Sequence, residues 1–206
     1  MEIYLVRHGQ TGGNVAHRHQ AEDTPLTALG REQARNVGQI LKDYKPTHLL
    51  CSNLVRALET AQEIGKACNL IPDTSRHFIE LARPRGVTGH HHRSLSSYIF
   101  YMRWLFGKED ETDEGWESYS DVRARIKLAQ EVLSKYPEDA RLVVVSHSVF
   151  ISLFVAHLCS DKALSPLQAV RVFRKLTTMP NTHVTPLLLD TKMSNDNNTC
   201  AWIVED

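Results

Sequence analysis

The sequence predicts an α/β fold, a three-layer α/β/α arrangement with a mostly parallel central sheet and a helical insertion between the third and fourth strands. Three observations carry this expectation. Short strand-like runs alternate with helical patterns along most of the chain, which is how crossover helices join parallel strands. Between Glu80 and Tyr136 strand signals stop and two helical patterns follow one another. The chain has 206 residues, enough for one sizeable core without a split. One domain over residues 1–206 is therefore expected, with the insertion at about 81–136.

Strand-like runs lie at Ile3 to Arg7, Thr47 to Cys51, Leu142 to Ser146 and His183 to Leu189, with a weaker one at Pro72 to Ile79 and a last one near Ala201 to Val204. The first helix is expected to start at Thr27 as N-cap and to end near Tyr44. Leu29, Val37, Ile40, Leu41 and Tyr44 fall on one face, and Pro46 stops it. A second helix spans about Asn53 to Cys68. The insertion carries patterns near Leu95 to Phe106 and Trp116 to Tyr136. In the latter, Tyr119, Val122, Ile126, Ala129, Leu133 and Tyr136 repeat in steps of three and four, an apolar stripe that packs into a core. The stretch Lys108 to Glu117, with six acidic residues against one Lys, reads as a solvated loop. A buried helix is expected after His147, continuing to His157, and another starts near Pro166.

Lys plus Arg and Asp plus Glu each number 24. Such a balance gives no field that draws the molecule to nucleic acid or to an anionic membrane, so any charge specificity is local. The most apolar stretch, Leu142 to Cys159, is interrupted by Ser146, His147, Ser148, Ser152 and His157, whereas a membrane span needs about 20 mostly apolar residues. The opening Met1 to Val6 is strand-like rather than signal-like, and a cytoplasmic location is expected. Cys51, Cys68, Cys159 and Cys200 form no CxxC pair and are expected to be reduced, mostly buried side chains. A homodimer is compatible with these features.

In an open parallel sheet, ligands bind beyond the carboxyl ends of the strands. The first strand delivers Arg7 and His8 to that edge. Arg56 follows the second strand in the first turn of its helix, Glu80 follows the third, and His147 follows the fourth. Two arginines, two histidines and a carboxylate suit phosphoryl transfer without a metal: cations for the phosphoryl oxygens, a nucleophile, and a proton donor for the leaving oxygen. His8 attacks only as neutral imidazole, and neighbouring arginines disfavour its protonation. Glu80 then serves as acid and afterwards as base toward water.

The same residues carry a family resemblance. Arg7-His8-Gly9-Gln10-Thr11-Gly12-Gly13-Asn14 resembles the RHGxTxxN signature of the histidine phosphatase, or phosphoglycerate mutase-like, superfamily. Leu26-Thr27-Ala28-Leu29-Gly30-Arg31-Glu32-Gln33-Ala34 is similar to its LTxxGxxQA helix start. Ser52-Asn53-Leu54-Val55-Arg56-Ala57-Leu58-Glu59-Thr60-Ala61 is similar to its SxLxRAxxTA segment, and Val144-Val145-Ser146-His147-Ser148 to its second histidine motif. The resemblance spans roughly Met1 to Leu189. It implies a phosphohistidine on His8, Glu80 as acid, and Arg7, Arg56, His147 and Asn14 as the phosphate pocket. It implies no metal and no cofactor, with a small phosphorylated molecule as substrate.

Two departures from the family pattern bear on function. Ser148 stands where Gly is more usual, next to the bound phosphate or leaving group. The run Glu80-Leu81-Ala82-Arg83-Pro84-Arg85-Gly86 lacks the Glu-Arg-x-Tyr-Gly of phosphoglycerate mutases, which favours a phosphatase over a mutase; a silent phospho-ligand binding module is a third reading. Asp110 and Glu114 of the insertion are rival proton donors. His90, His91 and His92 lack a ligand partner at metal-site spacing and are expected to face water or substrate, and His17 and His19 water. Tyr98, Phe100, Tyr101, Trp104 and Phe106 are more aromatics than one buried helix face holds, and a substrate wall or a subunit contact would use the surplus; with the neighbouring histidines they are expected to form a specificity lid.

Overall fold

The computed structural model describes residues 1–92, 94–105, 116–190 and 200–205. The chain runs through β1 (Glu2–Arg7), α1 (Gly12–Val15), α2 (Ala28–Asp43), β2 (His48–Cys51), α3 (Val55–Cys68), β3 (Asp73–Thr74), α4 (Leu95–Leu105), α5 (Tyr119–Ser134), β4 (Arg141–Ser146), α6 (Ser148–Ala156), α7 (Pro166–Thr178), β5 (Val184–Leu189) and β6 (Trp202–Val204). Among the described residues six strands form one sheet in the order β3-β2-β4-β1-β5-β6. The pairs β1–β4, β2–β4 and β2–β3 are parallel, while β5 is antiparallel to both its neighbours.

Strand alternation sorts the core into two layers. Ile3 and Leu5 of β1 and Leu142 and Val144 of β4 pack with α5 and α6 on one face. Tyr4, Val6, Val143 and Val145 pack with α2 and α3 on the other. Helices covering both faces leave the strand ends as the exposed edges where polar chemistry collects. Of the insertion's predicted stripe, Tyr119, Val122, Ile126, Ala129 and Leu133 are all buried.

Three expectations need correction. Only Asp73–Thr74 of the run Pro72 to Ile79 is strand, pairing with Leu50 and Cys51. Ser75 then caps a 3₁₀ turn, Arg76–Phe78, by accepting from the His77 N–H, and that turn carries the chain to Glu80. Of the expected α2 stripe Val37 and Leu41 are buried, but Leu29, Ile40 and Tyr44 are exposed, and Gly30, Ala34 and Gly38 are buried in their place. Small residues win there because α2 and α3 lie close. A Cβ on Gly38 would stand 3.1 Å from the Ile64 Cα. Finally, Cys159 and Cys200 form a disulfide with Cα atoms 5.3 Å apart, closing a loop with a sequence separation of 41; Cys51 is buried and Cys68 half-buried, both as free thiols. Their sequence distance hid a pairing that only the juxtaposition of the α6 end with β6 creates.

Candidate active site

β1 ends by presenting His8 at the sheet edge, and the backbone there is held from four sides. The His8 N–H donates to the Ser146 carbonyl, and the His8 carbonyl accepts from the Thr182 N–H and from Asn181 Nδ2. The Gly9 N–H donates to Thr60 Oγ1 at 3.0 Å, and that hydroxyl donates to the Arg56 carbonyl, which ties the loop to α3. The start of α2 closes the fourth side. A Cβ on Gly9 would lie 2.4 Å from the Gly30 carbonyl oxygen, and one on Gly30 would lie 2.1 Å from the Gln10 oxygen. Only two glycines facing each other allow this approach.

His8 is buried, and its Nδ1 lies 2.7 Å from the Gly9 carbonyl. A carbonyl only accepts, so Nδ1 carries the proton and Nε2 keeps its lone pair. Burial, and then Arg56 and Arg7, hold the imidazole well below its ordinary 6.5, so it is neutral near neutral pH. The fixed tautomer and the suppressed protonation together leave Nε2 as a nucleophile.

The surrounding groups share one feature. Arg7 donates through Nη1 to the Met179 carbonyl, and Arg56 through Nη1 to the Ala21 carbonyl at 3.0 Å, yet Nε of both is buried without a hydrogen-bond partner among the described residues. Burial lowers both guanidinium pKa values, that of Arg56 to about 10, with Glu80 opposing the change, so both stay charged. His147 caps α6 and packs against His8 with ring centroids 5.2 Å apart. Its Nε2 lies 2.9 Å from Ser52 Oγ, and its Nδ1 is a third buried atom without a partner among the described residues. The Leu54 N–H also donates to Ser52 Oγ, which holds this hydroxyl against the imidazole. Unpaired buried polar atoms are costly, and three around one imidazole describe a place for an anion.

Glu80 stands beside this pocket at the start of α6. Its Oε1 accepts from the N–H groups of Leu81 and Phe150, at 3.0 and 3.2 Å, and its Oε2 accepts from the Val149 N–H at 3.4 Å. The segment is braced from the insertion. Arg125 forms a bidentate pair with Glu117, Nε–Oε1 2.5 Å and Nη2–Oε2 2.7 Å, and its Nη1 donates to the His77 and Ile79 carbonyls; Glu117 Oε2 also accepts from the Ala82 N–H. The rival acids Asp110 and Glu114 lie outside the described residues, as does Phe106. Asn14 closes a capping box with Thr11, and its Oδ1 also accepts from Asn181 Nδ2. Ser148, the first residue of α6, is half-buried beside His147.

The structure thus brings together Arg7, His8, Arg56, Glu80 and His147. Sequence reasoning missed their supports, Ser52, Thr60, Glu117, Arg125 and Asn181. Ser52 and Thr60 lie inside a recognised motif, which is a usable signal, whereas Glu117 and Arg125 are visible only once α5 packs against the Glu80 segment. Two further expectations are corrected. His19 is buried rather than solvated, with Nε2 2.9 Å from Ser97 Oγ, because the segment at 89–92 lies along it. Trp104 is core, 2% exposed, with Nε1 donating to the Glu117 carbonyl, and so forms no part of a lid. Among the described residues no group of three or more His, Cys, Asp or Glu could hold a metal ion, and no helix is long and apolar enough to cross a membrane.

A neutral, tautomer-fixed histidine between two buried guanidiniums, at the carboxyl edge of a mostly parallel sheet, defines an α/β protein with a cationic pocket built around one imidazole. Residues 3–191 match the histidine phosphatase superfamily (branch 1), and the chain belongs to that family. It is 33% identical over 162 residues to the probable phosphoglycerate mutase GpmB of Erwinia tasmaniensis, covering 76% of this chain and 74% of that protein. A mycobacterial glucosyl-3-phosphoglycerate phosphatase superposes with a TM-score of 0.72 at 28% identity, covering 99% of this chain and 96% of the other. The alpha-ribazole phosphatase of Shigella flexneri superposes with a TM-score of 0.73 at 25% identity, covering 93% and 92%.

Proposed function

We propose that this protein is a phosphatase that hydrolyses phosphomonoesters through a phosphohistidine on His8. The observation that carries the proposal is the His8 Nδ1 to Gly9 carbonyl bond, which reserves Nε2 for attack while burial, and then Arg56 and Arg7, keep the ring unprotonated. In the first step Nε2 forms a bond to phosphorus as the ester P–O bond breaks, and the leaving alkoxide takes a proton from Glu80. In the second, Glu80 accepts a proton from water as the water oxygen attacks phosphorus and the P–N bond breaks, releasing orthophosphate. Arg7, Arg56, His147 through Nδ1 and Asn14 hold the phosphoryl oxygens, with Ser148 beside them.

The first half would be common to a mutase, and the names of the curated relatives favour that second reading. The absence of the Glu-Arg-x-Tyr-Gly run after Glu80 supports hydrolysis instead. Incubation with 3-phosphoglycerate beside a panel of phosphomonoesters separates the two: orthophosphate release without isomer is expected, and isomer forming faster than orthophosphate overturns hydrolysis. His8→Ala protein should trap no acid-labile phosphate and turn over no substrate, and full activity in it would refute the mechanism.

A further inference from the structure

The loop between α7 and β5, Met179 to His183, touches three groups of the pocket. The Met179 carbonyl accepts from Arg7 Nη1, and the His183 carbonyl accepts from the Arg7 backbone N–H at 3.0 Å. The His8 carbonyl accepts twice from the loop, from the Thr182 N–H at 3.3 Å and from Asn181 Nδ2 at 3.2 Å. Asn181 Nδ2 also donates to Asn14 Oδ1 at 3.1 Å. Thr182 stands at φ 55°, a left-handed conformation that a β-branched residue resists, and its hydroxyl donates to the Asn181 carbonyl at 2.7 Å. This strained turn brings the Thr182 N–H and the Asn181 amide to one carbonyl oxygen, and such strain persists only where surrounding contacts impose it.

An amide side chain packs nearly as well either way round, so its polarity is set by partners that cannot reverse. A backbone N–H only donates. The Thr11 N–H, 3.1 Å from one amide atom of Asn14, therefore makes that atom the oxygen. A backbone carbonyl only accepts. The His8 carbonyl therefore makes the facing atom of Asn181 the nitrogen. The two assignments agree where the side chains meet, Nδ2 of Asn181 against Oδ1 of Asn14. Asn14 Oδ1 is thus engaged within the protein, and the two N–H groups on Asn14 Nδ2 have no hydrogen-bond partner among the described residues.

We infer that Asn181 is a positioning residue: it locks the Asn14 amide with Nδ2 left for a phosphoryl oxygen and ties that donor to the backbone of the nucleophile, His8. The inference rests on the phosphatase reading, in which Asn14 holds a phosphoryl oxygen. Two acceptors share one nitrogen, so Asn181 acts only as a double donor. Without it the Asn14 side chain is held by Thr11 alone, and the His8 carbonyl keeps only the Thr182 N–H. The nucleophile and one phosphoryl donor then lose their common support.

The test is the affinity for inorganic phosphate by calorimetry, with kcat/KM on p-nitrophenyl phosphate beside it, for Asn181→Ala, Asn181→Asp and Asn181→Ser, each in the native and in the Asn14→Ala background. Asn181→Ala should weaken phosphate binding by about tenfold, the scale of one hydrogen bond to an anion, and lower kcat/KM at least as much. In Asn14→Ala protein the same change should weaken phosphate binding by less than about threefold, because the group it positions is gone. Asn181→Asp keeps the shape but sets a carboxylate against two oxygens, so it should lose at least as much as Asn181→Ala. Asn181→Ser keeps one donor and should lose less. Equal losses of phosphate affinity in both backgrounds, or Asn181→Asp binding better than Asn181→Ala, overturns the inference, since a packing role alone predicts these results. Should Asn181→Ala not fold, Asn181→Asp binding phosphate as well as Asn181→Ser overturns it equally. If no ester is hydrolysed, the phosphatase reading fails by itself, and the coupling measured on phosphate binding still decides the role of Asn181. Native protein that binds no phosphate overturns both.

Discussion

Acidification should destabilise this protein through histidines that the fold keeps neutral. Burial, with nearby cations, holds His8 and His147 well below 6.5 and His19 down to about 3. The unfolded chain protonates these rings at about 6.5 while the folded one does not, so below that pH the unfolded state binds more protons and is favoured. Stability is therefore complete above about pH 6.5 and falls as pH drops below it, a window that for His19 extends to about 3. Between about pH 7.5 and about pH 5.5 each such histidine costs about 1.4 kcal/mol, and the three together about 4 kcal/mol. Against a typical domain stability of about 5–15 kcal/mol that is a large share. Urea unfolding at the two pH values reads it directly. His19→Asn, outside the phosphoryl pocket, should shrink the difference between the two pH values by about one histidine's contribution. Stability that stays flat or rises on acidification to pH 5.5 would refute the claim that these rings are buried and neutral.

Other perturbations test the architecture of the site. Gly30→Ala places a methyl 2.1 Å from the Gln10 oxygen and should displace the His8 loop, with roughly 1–3 kcal/mol of destabilisation by thermal melting and a larger fractional loss of kcat. Arg125→Met frees Glu117 and loosens the carbonyls that precede Glu80; kcat should fall more for alkyl phosphates, whose leaving groups need an acid, than for p-nitrophenyl phosphate, which needs little help. Equal losses on both would mean that Arg125 does not position Glu80. Cys159→Ser opens a loop with a sequence separation of 41 and should lower the unfolding free energy of oxidised protein, read by urea titration, by up to about 4 kcal/mol on the chain-entropy argument, with no effect when the native protein is kept reduced.

What could be read from residues alone was what local spacing encodes. The Ile3–Arg7 and Leu142–Ser146 runs set parallel central strands, and placing Arg7, His8, Arg56, Glu80 and His147 after strand ends predicted one shared edge, because period-two burial and crossover connections leave few other arrangements. Local pattern failed where neighbours in space chose between alternatives of equal local merit. The α2 stripe turned on how closely α3 approaches, so Gly38 and Ala34 were buried in place of Ile40 and Leu29. The run Pro72 to Ile79 had one partner strand for only two residues, and the rest coiled into a 3₁₀ turn.

The site divides in the same way. Which side chains carry the charge, the imidazole and the carboxyl was fixed by residue type and order, and so was legible. Which nitrogen of His8 bears the proton, which atoms of Arg7, Arg56 and His147 are left without partners, and how Glu117 and Arg125 hold the segment before Glu80 were decided only by tertiary packing. The same holds for the Cys159–Cys200 bond and for the burial of His19. The physical reason is common to all of them. A hydrogen bond or a desolvated charge depends on groups far apart in the chain reaching positions a few ångströms apart, and no local period records that distance.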